Sequence, residues 1–383
     1  MEKRVGNVRL MQKINRLKIL NFVRENKFAL RPEMAEKTGL SLSSVTNIIT
    51  YLIGKNIVVS DGSVAEGRVG RRPDLIRFKN DYYNFVCIMI DKNEFTVAFT
   101  DLEGKALEKA TFKIGENRDA LMNNIINETN KIIDRCGRKN LLGVCMSISA
   151  LVLENGIYSA DLNWELKISR AELKEKLGVP VFLENVSDMR GVWQFKGRVR
   201  EMGNVVLFDL EGGIGAVHFA NGERSRFAIG EIGHTTVASD GDKCVCGNYG
   251  CLEAMCSTDK IVKSCEKLGC KSFDDVVAMF DDGREEVIPA LDLCAEYLGI
   301  GLANVANMFN PERIVVNCGE YAKCSYIINK AVKVMYIRAN KLLTDSVKIE
   351  KVSFSGDDII KGMAMFMCDE IFSLDFEDEF IEL

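Results

Sequence analysis

The sequence is poor in proline and has no long apolar run. Only five prolines occur among its 383 residues, and no apolar stretch approaches the roughly 20 residues that a membrane-spanning helix needs. The first residues, MEKRVGNVRLMQK, carry charges where a secretory signal peptide would need an apolar core. With 47% hydrophobic and 27% charged residues, the composition is typical of a soluble globular protein, which we expect to be cytoplasmic and to have no membrane partner.

Histidine is scarce, with two residues, whereas cysteine is plentiful, with thirteen. Nine cysteines are scattered along the chain: Cys87, Cys136, Cys145, Cys265, Cys270, Cys294, Cys318, Cys324 and Cys368. In a large chain without an export signal, we expect these to be reduced and mostly buried thiols rather than disulfides.

The motif HTTVASDGDKCVCGNYGC, residues 234–251, gathers one histidine and three cysteines around turn residues. Imidazole and thiolate are ligands that zinc prefers, and four of them complete a tetrahedron with no open position. The four candidate ligands are His234, Cys244, Cys246 and Cys251. A redox pair and inert thiols are the alternatives, but Cys-x-Cys is an awkward spacing for a disulfide. A structural zinc ion is therefore the favoured interpretation.

Charge is distributed unevenly. The net charge of −5 argues by itself against a nucleic-acid partner, but residues 1–80 hold 16 basic against 7 acidic side chains, and the rest hold 34 against 48. A basic head on an acidic body is expected when one segment meets phosphates and the rest does not. The alternative is a basic surface that is simply solvated. Only a DNA-binding motif in the head would argue against this alternative.

The head contains such a motif. Apolar residues at helical spacing predict a first helix: Ile14, Leu17, Leu20 and Val23. Pro32 and Gly39 suit the start and the end of a second helix, and Ser41 can cap a third. Short polar side chains lie opposite or beside the apolar face of this third helix: Ser43, Ser44, Thr46, Asn47 and Thr50. They can hydrogen-bond base edges in a major groove, which is typical of a helix-turn-helix.

Two strand-like runs, NIVVS and DLIRF, follow this helix and are joined by DGSVAEGRVGRRP. The glycines of the joining segment, with Arg68, Arg71 and Arg72, predict a flexible basic wing that enters a minor groove or grips phosphate. A mobile hairpin whose arginines only keep it soluble is the alternative. Together with the three helices, the wing favours a DNA-binding winged helix over residues 1–80.

After Asn80 the pattern changes to strands alternating with helices, which predicts an α/β body with a mixed sheet covered by helices. A second set of strands begins at NVVLFDL, so we expect two similar lobes, residues 81–205 and 206–383, with the metal motif in the second. The acidic finish, DFEDEFIEL, is most simply a solvated tail.

The order of motifs resembles the ROK family over nearly the whole chain. After the winged helix come LENVSDMRGVW, GGIGAVHFANGE, GEIGH, CVCGNYGCLEA and NMFNPERIVVNCGE. The family contains sugar-responsive repressors and sugar kinases on a two-lobed actin-like, ribonuclease H-like fold, and its cysteine motif binds zinc. The resemblance implies that four residues meet a sugar in the cleft between the lobes: Asn185, Glu231, His234 and Glu253. For the two glutamates taken singly, a surface or metal-supporting carboxylate is the alternative.

The kinase machinery of the family is incomplete. The kinases place a proton-accepting aspartate directly after the residue that matches Asn185, and this chain has Val186 there. Asp188 would point elsewhere if the segment is a strand end. The first phosphate loop, Asp-x-Gly-Gly-Thr in the kinases, aligns with Met89, Asp91, Lys92 and Asn93. The second loop, DLEGGIGAV, keeps its glycines but adds a negative charge at residue 211.

These features predict a transcription regulator, most simply a repressor, that binds an operator in double-stranded DNA and responds to a sugar or sugar derivative without catalysis. We expect a homodimer or homotetramer, because a pseudo-palindromic operator presents two half-sites. An ATP-dependent sugar kinase and a regulator controlled by a partner protein are the alternatives.

Overall fold

The computed structural model describes residues 2–26, 28–61, 74–115, 120–153, 156–159, 164–166, 169–195, 203–225, 230–344 and 347–376. The chain begins with three helices and two strands: α1 (Glu2–Glu25), α2 (Arg31–Thr38), α3 (Leu42–Gly54), β1 (Val58–Asp61) and β2 (Leu75–Phe78). The strands pair antiparallel, as predicted. The segment that joins them, with Arg68, Arg71 and Arg72, lies outside the described residues.

Local sequence signals explain the ends of these helices. Gly39 ends α2 with a φ of 72°, a left-handed conformation that glycine adopts without strain. The Ser41 hydroxyl then accepts a hydrogen bond from the amide of Ser44 at 3.1 Å, which starts α3. Val45 and Ile49 bury the apolar side of α3.

The next elements form the first lobe: β3 (Asn84–Ile90), β4 (Glu94–Thr100), β5 (Ala106–Lys113), α4 (Leu121–Cys136), β6 (Leu141–Ile148), β7 (Leu151–Leu153), β8 (Gly156–Ser159), β9 (Trp164–Leu166), α5 (Arg170–Leu177), β10 (Val181–Asn185) and α6 (Val186–Phe195). Five of the strands make one sheet in the order β10-β6-β3-β4-β5, and β7, β8 and β9 make a small separate sheet.

The second lobe follows: β11 (Asn204–Asp209), β12 (Gly215–Ala220), β13 (Glu223–Arg224), α7 (Leu252–Cys256), α8 (Thr258–Ser264), α9 (Phe273–Asp281), α10 (Ile288–Phe309), β14 (Arg313–Asn317), α11 (Ser325–Arg338), α12 (Lys341–Thr344) and β15 (Lys348–Val352). The last helix is α13 (Gly356–Ile371). The sheet of the second lobe has the order β13-β12-β11-β14-β15. In both sheets the first strand is central, antiparallel to the second and parallel to the next strand added. The two five-stranded sheets therefore share one topology.

The last helix, α13, returns to the first lobe. Its Met363 and Met367 are buried in the same apolar cluster as Cys87 of β3 and Cys145 of β6. The predicted boundary, which placed residues 206–383 in the second lobe, is therefore corrected at this helix. An amphipathic pattern fixes which face of a helix is buried, but it does not say which sheet covers that face.

The start of the C-terminal tail also departs from the prediction of a solvated segment. The ring of Phe376 stacks on that of Phe182 with 6.5 Å between centroids, and its carbonyl oxygen accepts a hydrogen bond from Lys13 at 3.0 Å. The aromatic ring of Phe376, although it lies within an acidic run, packs on an apolar surface. Residues 377–383 lie outside the described part.

Across the described ranges, none of the helices is both long enough and apolar enough to span a bilayer.

Candidate functional site

The histidine and cysteines of the 234–251 motif converge in the second lobe. One ligand atom from each of His234, Cys244, Cys246 and Cys251 lies within 4.8 Å of all the others. The Nδ1 atom of His234 is 3.5 Å from the Sγ of Cys244. The Sγ atoms of Cys246 and Cys251 are 3.7 Å apart, well beyond the ~2.05 Å of a disulfide bond. The cluster has the donor atoms and ligand number of a closed metal site.

Glycine lets the backbone fold around this cluster. Gly247 and Gly250 have φ values of 94° and 67°, which residues with a side chain rarely adopt. A Cβ on Gly250 would lie 1.6 Å from the carbonyl oxygen of Ala238. The motif therefore depends on the glycine at 250 as well as on its ligands.

A cavity of about 700 Å³ lies between the lobes, next to the metal cluster. The first lobe lines it with Ile90, Asp91, Lys92 and Ser149, and the second lobe with the 210–214 turn, the metal loop and the start of α8. The hydroxyl of Ser149 donates to the carbonyl of Gly212 at 2.6 Å. A hydrogen bond thus joins the two lobes at the wall of the cavity.

The two hairpin turns that line the cavity differ in chemistry. In the turn between β3 and β4, the Asp91 carboxylate accepts a hydrogen bond from the amide of Lys92 at 2.6 Å. The turn between β11 and β12 holds Gly212 and Gly213, with φ values of 75° and 125°. Backbone amides approach a phosphate closely where side chains leave room. Only the second of these two turns leaves such room.

The charge of Glu211, expected to stand beside the second turn, shares a buried arginine with Asp209. The guanidinium of Arg190 lies 3.0 Å from the Glu211 carboxylate and 2.8 Å from that of Asp209. The side-chain amide of Asn317 donates to both carboxylates, at 2.6 Å to Asp209 and 3.1 Å to Glu211. One guanidinium from the first lobe faces two carboxylates, so the negative charge that Glu211 adds is partly offset but not cancelled.

The structure brings together some of the four residues implied to meet a sugar. Glu253 lines the cavity, and its carboxylate accepts a hydrogen bond from the amide of Ile214 at 2.7 Å. The Oε2 atom of Glu231 is 3.7 Å from Nε2 of His234. The amide of Asn185 donates to the carbonyl of Ala150 at 2.9 Å. Of the four, Glu253 alone is among the described residues that line the cavity.

Val186 opens helix α6 directly after Asn185. Because β10 ends at Asn185, Asp188 lies in the first turn of this helix and not at a strand end. Its carboxylate pairs with Arg224 at 2.7 Å, and the same guanidinium pairs with Glu184 at 2.9 Å. Burial raises the pKa of Asp188, and the charge of Arg224 opposes that rise. Asp188 is thus engaged in an ion pair.

Helix α3 presents the predicted polar side chains to solvent. Ser44 is half-buried, and the other four are exposed: Ser43, Thr46, Asn47 and Thr50. The hydroxyls of Thr46 and Thr50 donate to carbonyls of their own helix at 2.8 and 2.9 Å. Their oxygen lone pairs remain free to accept from a base edge.

Sequence reasoning missed Arg190 and Arg224. Each binds carboxylates of the opposite lobe, and partners lie 19 and 40 residues away along the chain. No local pattern encodes such a pairing. The one available signal was an arginine in α6 beside Met189 and Val192, on a helix that buries apolar residues.

Comparison with known proteins assigns the chain to a family. It belongs to the ROK family, whose model matches residues 85–370. The xylose repressor of Caldicellulosiruptor bescii is 25% identical over 338 residues, which cover 82% of this chain and 84% of that protein. The DNA-binding transcriptional dual regulator NagC of Escherichia coli is 23% identical over 357 residues, which cover 87% and 86%.

Solved structures confirm the expected fold. A ROK family transcriptional regulator, a homologue of the Escherichia coli MLC protein, matches 93% of this chain and 96% of its own, with a TM-score of 0.78 and 20% identity. A ROK family glucokinase of Streptomyces griseus, in complex with glucose and AMPPNP, matches 98% of its own chain but 74% of this one, with a TM-score of 0.60 and 16% identity. Because the match to the regulator covers 93% of this chain, it must extend into residues 1–80, where the winged helix lies.

Proposed function

We propose that the protein is a sequence-specific DNA-binding transcription regulator, a repressor of sugar-metabolism genes that is controlled by a sugar or sugar derivative in the cleft. The observation that carries this proposal is the exposed polar face of α3, on a winged helix joined to a ROK body. The names of the xylose repressor and NagC support both a sugar effector and an operator partner.

The α3 helix is proposed to enter the major groove, with Asn47 suited to the edge of adenine. The wing arginines at 68, 71 and 72 are proposed to grip phosphate or the minor groove, since phosphate contacts fix position while base contacts give specificity. The basic balance of residues 1–80 should make the affinity strongly dependent on salt.

A homodimer, or a homotetramer built from dimers, would present two α3 helices to half-sites about one helical turn or a multiple of it apart. A ligand that prefers one arrangement of the lobes shifts DNA affinity by its difference in binding free energy, typically about 1–3 kcal/mol. We propose that the sugar favours the arrangement with the weaker DNA affinity, so that sugar relieves repression.

The proposed sugar contacts are Asn185, Glu231, His234 and Glu253. Their amide, imidazole and carboxylate groups suit the hydroxyls of a sugar. The metal is proposed to be zinc, which would tie residues 234–251 together through four ligand bonds and hold the ring of His234 beside Glu231. A site with four protein ligands leaves no position for catalysis.

Phosphoryl transfer is not proposed. Val186 has no atom that can accept the proton of an attacking sugar hydroxyl. The Asp91 side chain also adds negative charge at the turn where the kinases offer bare backbone to phosphate. Two changes in separate parts of the machinery argue against the kinase alternative more strongly than either one.

Binding to DNA tests the proposal directly. Duplex from upstream of the protein's own gene should bind at least about 10³-fold more tightly than random duplex at physiological salt. Asn47→Ala should weaken specific binding by about 1–3 kcal/mol without changing thermal stability, because Asn47 is exposed. Asn127→Ala, a change at an exposed position of α4, is the control that should bind normally. Equal affinity for both duplexes at every salt concentration would refute the proposal.

Thermal-shift measurements with D-xylose, N-acetylglucosamine and their phosphates test the effector. A ligand of the folded state raises the melting temperature by mass action, and the same sugar should weaken duplex binding. If none of these compounds raises the melting temperature, the partner-protein alternative is favoured. Consumption of ATP in a coupled assay, abolished by a change in the cleft, would establish the kinase alternative instead.

A further inference from the structure

Helix α13 is packed tightly against α6, the helix that begins beside the cleft. A Cβ on Gly362 of α13 would lie 2.1 Å from the carbonyl oxygen of Met189 in α6, so the two helix backbones are in contact. The Lys361 ammonium lies 5.0 Å from the ring centre of Trp193, also in α6. Because the two helix backbones are close-packed with no space between them, a displacement of α6 must move α13 with it.

The C-terminal end of α13 is held by α1 of the winged helix. The guanidinium of Arg24 lies 2.9 Å from the Asp369 carboxylate and donates to the carbonyl of Cys368 at 3.3 Å. It also lies 5.4 Å from the ring centre of Phe372 and 6.0 Å from that of Phe78. The Arg24 side chain is 16% exposed, so these charge-assisted contacts are stronger than those of a surface ion pair.

The contact continues from α1 to the recognition helix α3. The guanidinium of Arg16 lies 3.7 Å from the ring centre of Tyr51 in α3. Leu20 of α1 and Ile49 of α3 are buried in the same apolar cluster as Met367 of α13. The winged helix and the first lobe therefore share one core, and the winged helix is not tethered by a linker alone.

The same helix, α6, is also bonded to the second lobe, at the residue after Met189. Asn185 directly precedes the helix, and Arg190, one turn further on, pairs with Asp209 and Glu211 beside the cavity. A change in the angle between the lobes must act on α6 through this buried pair.

We infer that α6 and α13 form the route by which occupancy of the cleft reaches the recognition helix. The second lobe displaces α6 through Arg190, α6 displaces α13 across Gly362, and α13 displaces α1 through Arg24. This inference rests on the proposed function and specifies how that site is coupled to DNA. Coupling is reciprocal, so operator binding must in turn change α6.

The reverse direction gives a test that needs no effector. Hydrogen exchange of α6 is measured in the full-length protein with and without saturating upstream duplex. The wild type should show a change in α6. Asp369→Asn should bind the duplex yet lose the α6 response, because a neutral amide cannot form the ion pair with Arg24. Asp357→Asn is the matched control on the same helix, since it removes an exposed ion pair with Lys109 of β5 and should keep the response.

Arg24→Lys provides a second variant in case Asp369→Asn does not fold. It keeps the charge but lacks the planar fork that reaches both the Cys368 carbonyl and Asp369, so it should also lose the α6 response. A response retained in these variants would overturn the route and leave the proposed DNA binding intact. A wild-type protein that binds no duplex would overturn the proposed function and, with it, the route.

Discussion

The two lobes have the same strand order but different side chains at the equivalent turn. After its central strand, the first lobe has Asp91 and Lys92, whereas the second has Gly212 and Gly213, and both turns line one cavity. Strand pairing depends on backbone hydrogen bonds and on the burial of alternate side chains. Phosphate binding depends on a few turn positions that lack side chains. A repeated topology therefore does not imply a repeated chemistry.

The lobes also differ in what stabilises them. The second lobe contains the His234 and cysteine cluster, while the first lobe packs its sheet against α13 and shares its core with the winged helix. The buried pair of Arg190 with Asp209 and Glu211 connects the two. Substitutions in each of these parts separate their contributions.

The largest effect is expected from the metal cluster. Cys246→Ser should abolish zinc binding and loosen the second lobe, because structural zinc contributes about 10–16 kcal/mol of binding free energy in zinc-finger peptides. Elemental analysis should find about one zinc per chain in the wild type. Hydrogen exchange should accelerate around residues 234–256 and stay unchanged in the first sheet.

Cys136→Ser is the control for this prediction. Cys136 is an exposed cysteine of the first lobe, so its replacement should leave zinc content and stability unchanged. A wild-type protein that contains no metal and is no more stable than Cys246→Ser would contradict the proposed difference between the lobes.

A smaller loss is expected where the lobes are joined. Arg190→Met leaves the buried Asp209 without its charged partner and should lower the free energy of unfolding by about 3–5 kcal/mol. Arg338→Met removes an exposed pair with Glu296 and should cost about 0–1 kcal/mol. Urea unfolding measures both losses. Equal losses would show that the buried pair contributes no more to stability than the exposed pair.

The equivalent turns should respond unequally to exchange of their residue types. Gly212→Ala places a side chain at a φ of 75° and should cost about 1–2 kcal/mol. Asp91→Gly, at an exposed position, should change stability by about 0.5 kcal/mol or less. Thermal unfolding of the two variants would contradict this interpretation if Asp91→Gly were the more damaging change.

No effect is expected from placing a carboxylate at position 186 alone. Val186→Asp should leave ATP consumption at background with every sugar, because the first turn still carries Asp91 and Lys92. A coupled assay measures this. Turnover in this single variant would show that the first turn, despite its side chains, still accepts phosphate.

Much of the fold was predictable because its signals are local. Gly39 and Ser41 mark the turn before α3, and the periodic burial of Val45 and Ile49 follows from 3.6 residues per turn. The convergence of one histidine and three cysteines was predictable for the same reason, since these four donor residues lie within 18 consecutive positions. The implied sugar contacts came from family resemblance, and they remain a proposal.

What the sequence by itself determined is therefore the set of helices, strands and turns, the polar face of α3 and the histidine and cysteine cluster at 234–251. Tertiary structure alone decided that α13 covers the first lobe, that Arg190 pairs with Asp209 and Glu211, and that Arg24 holds Asp369. The partners in these contacts are up to 345 residues apart along the chain. Helical periodicity and capping act over a few residues, whereas the pairing of distant buried charges depends on which surfaces meet when the lobes and the winged helix pack together.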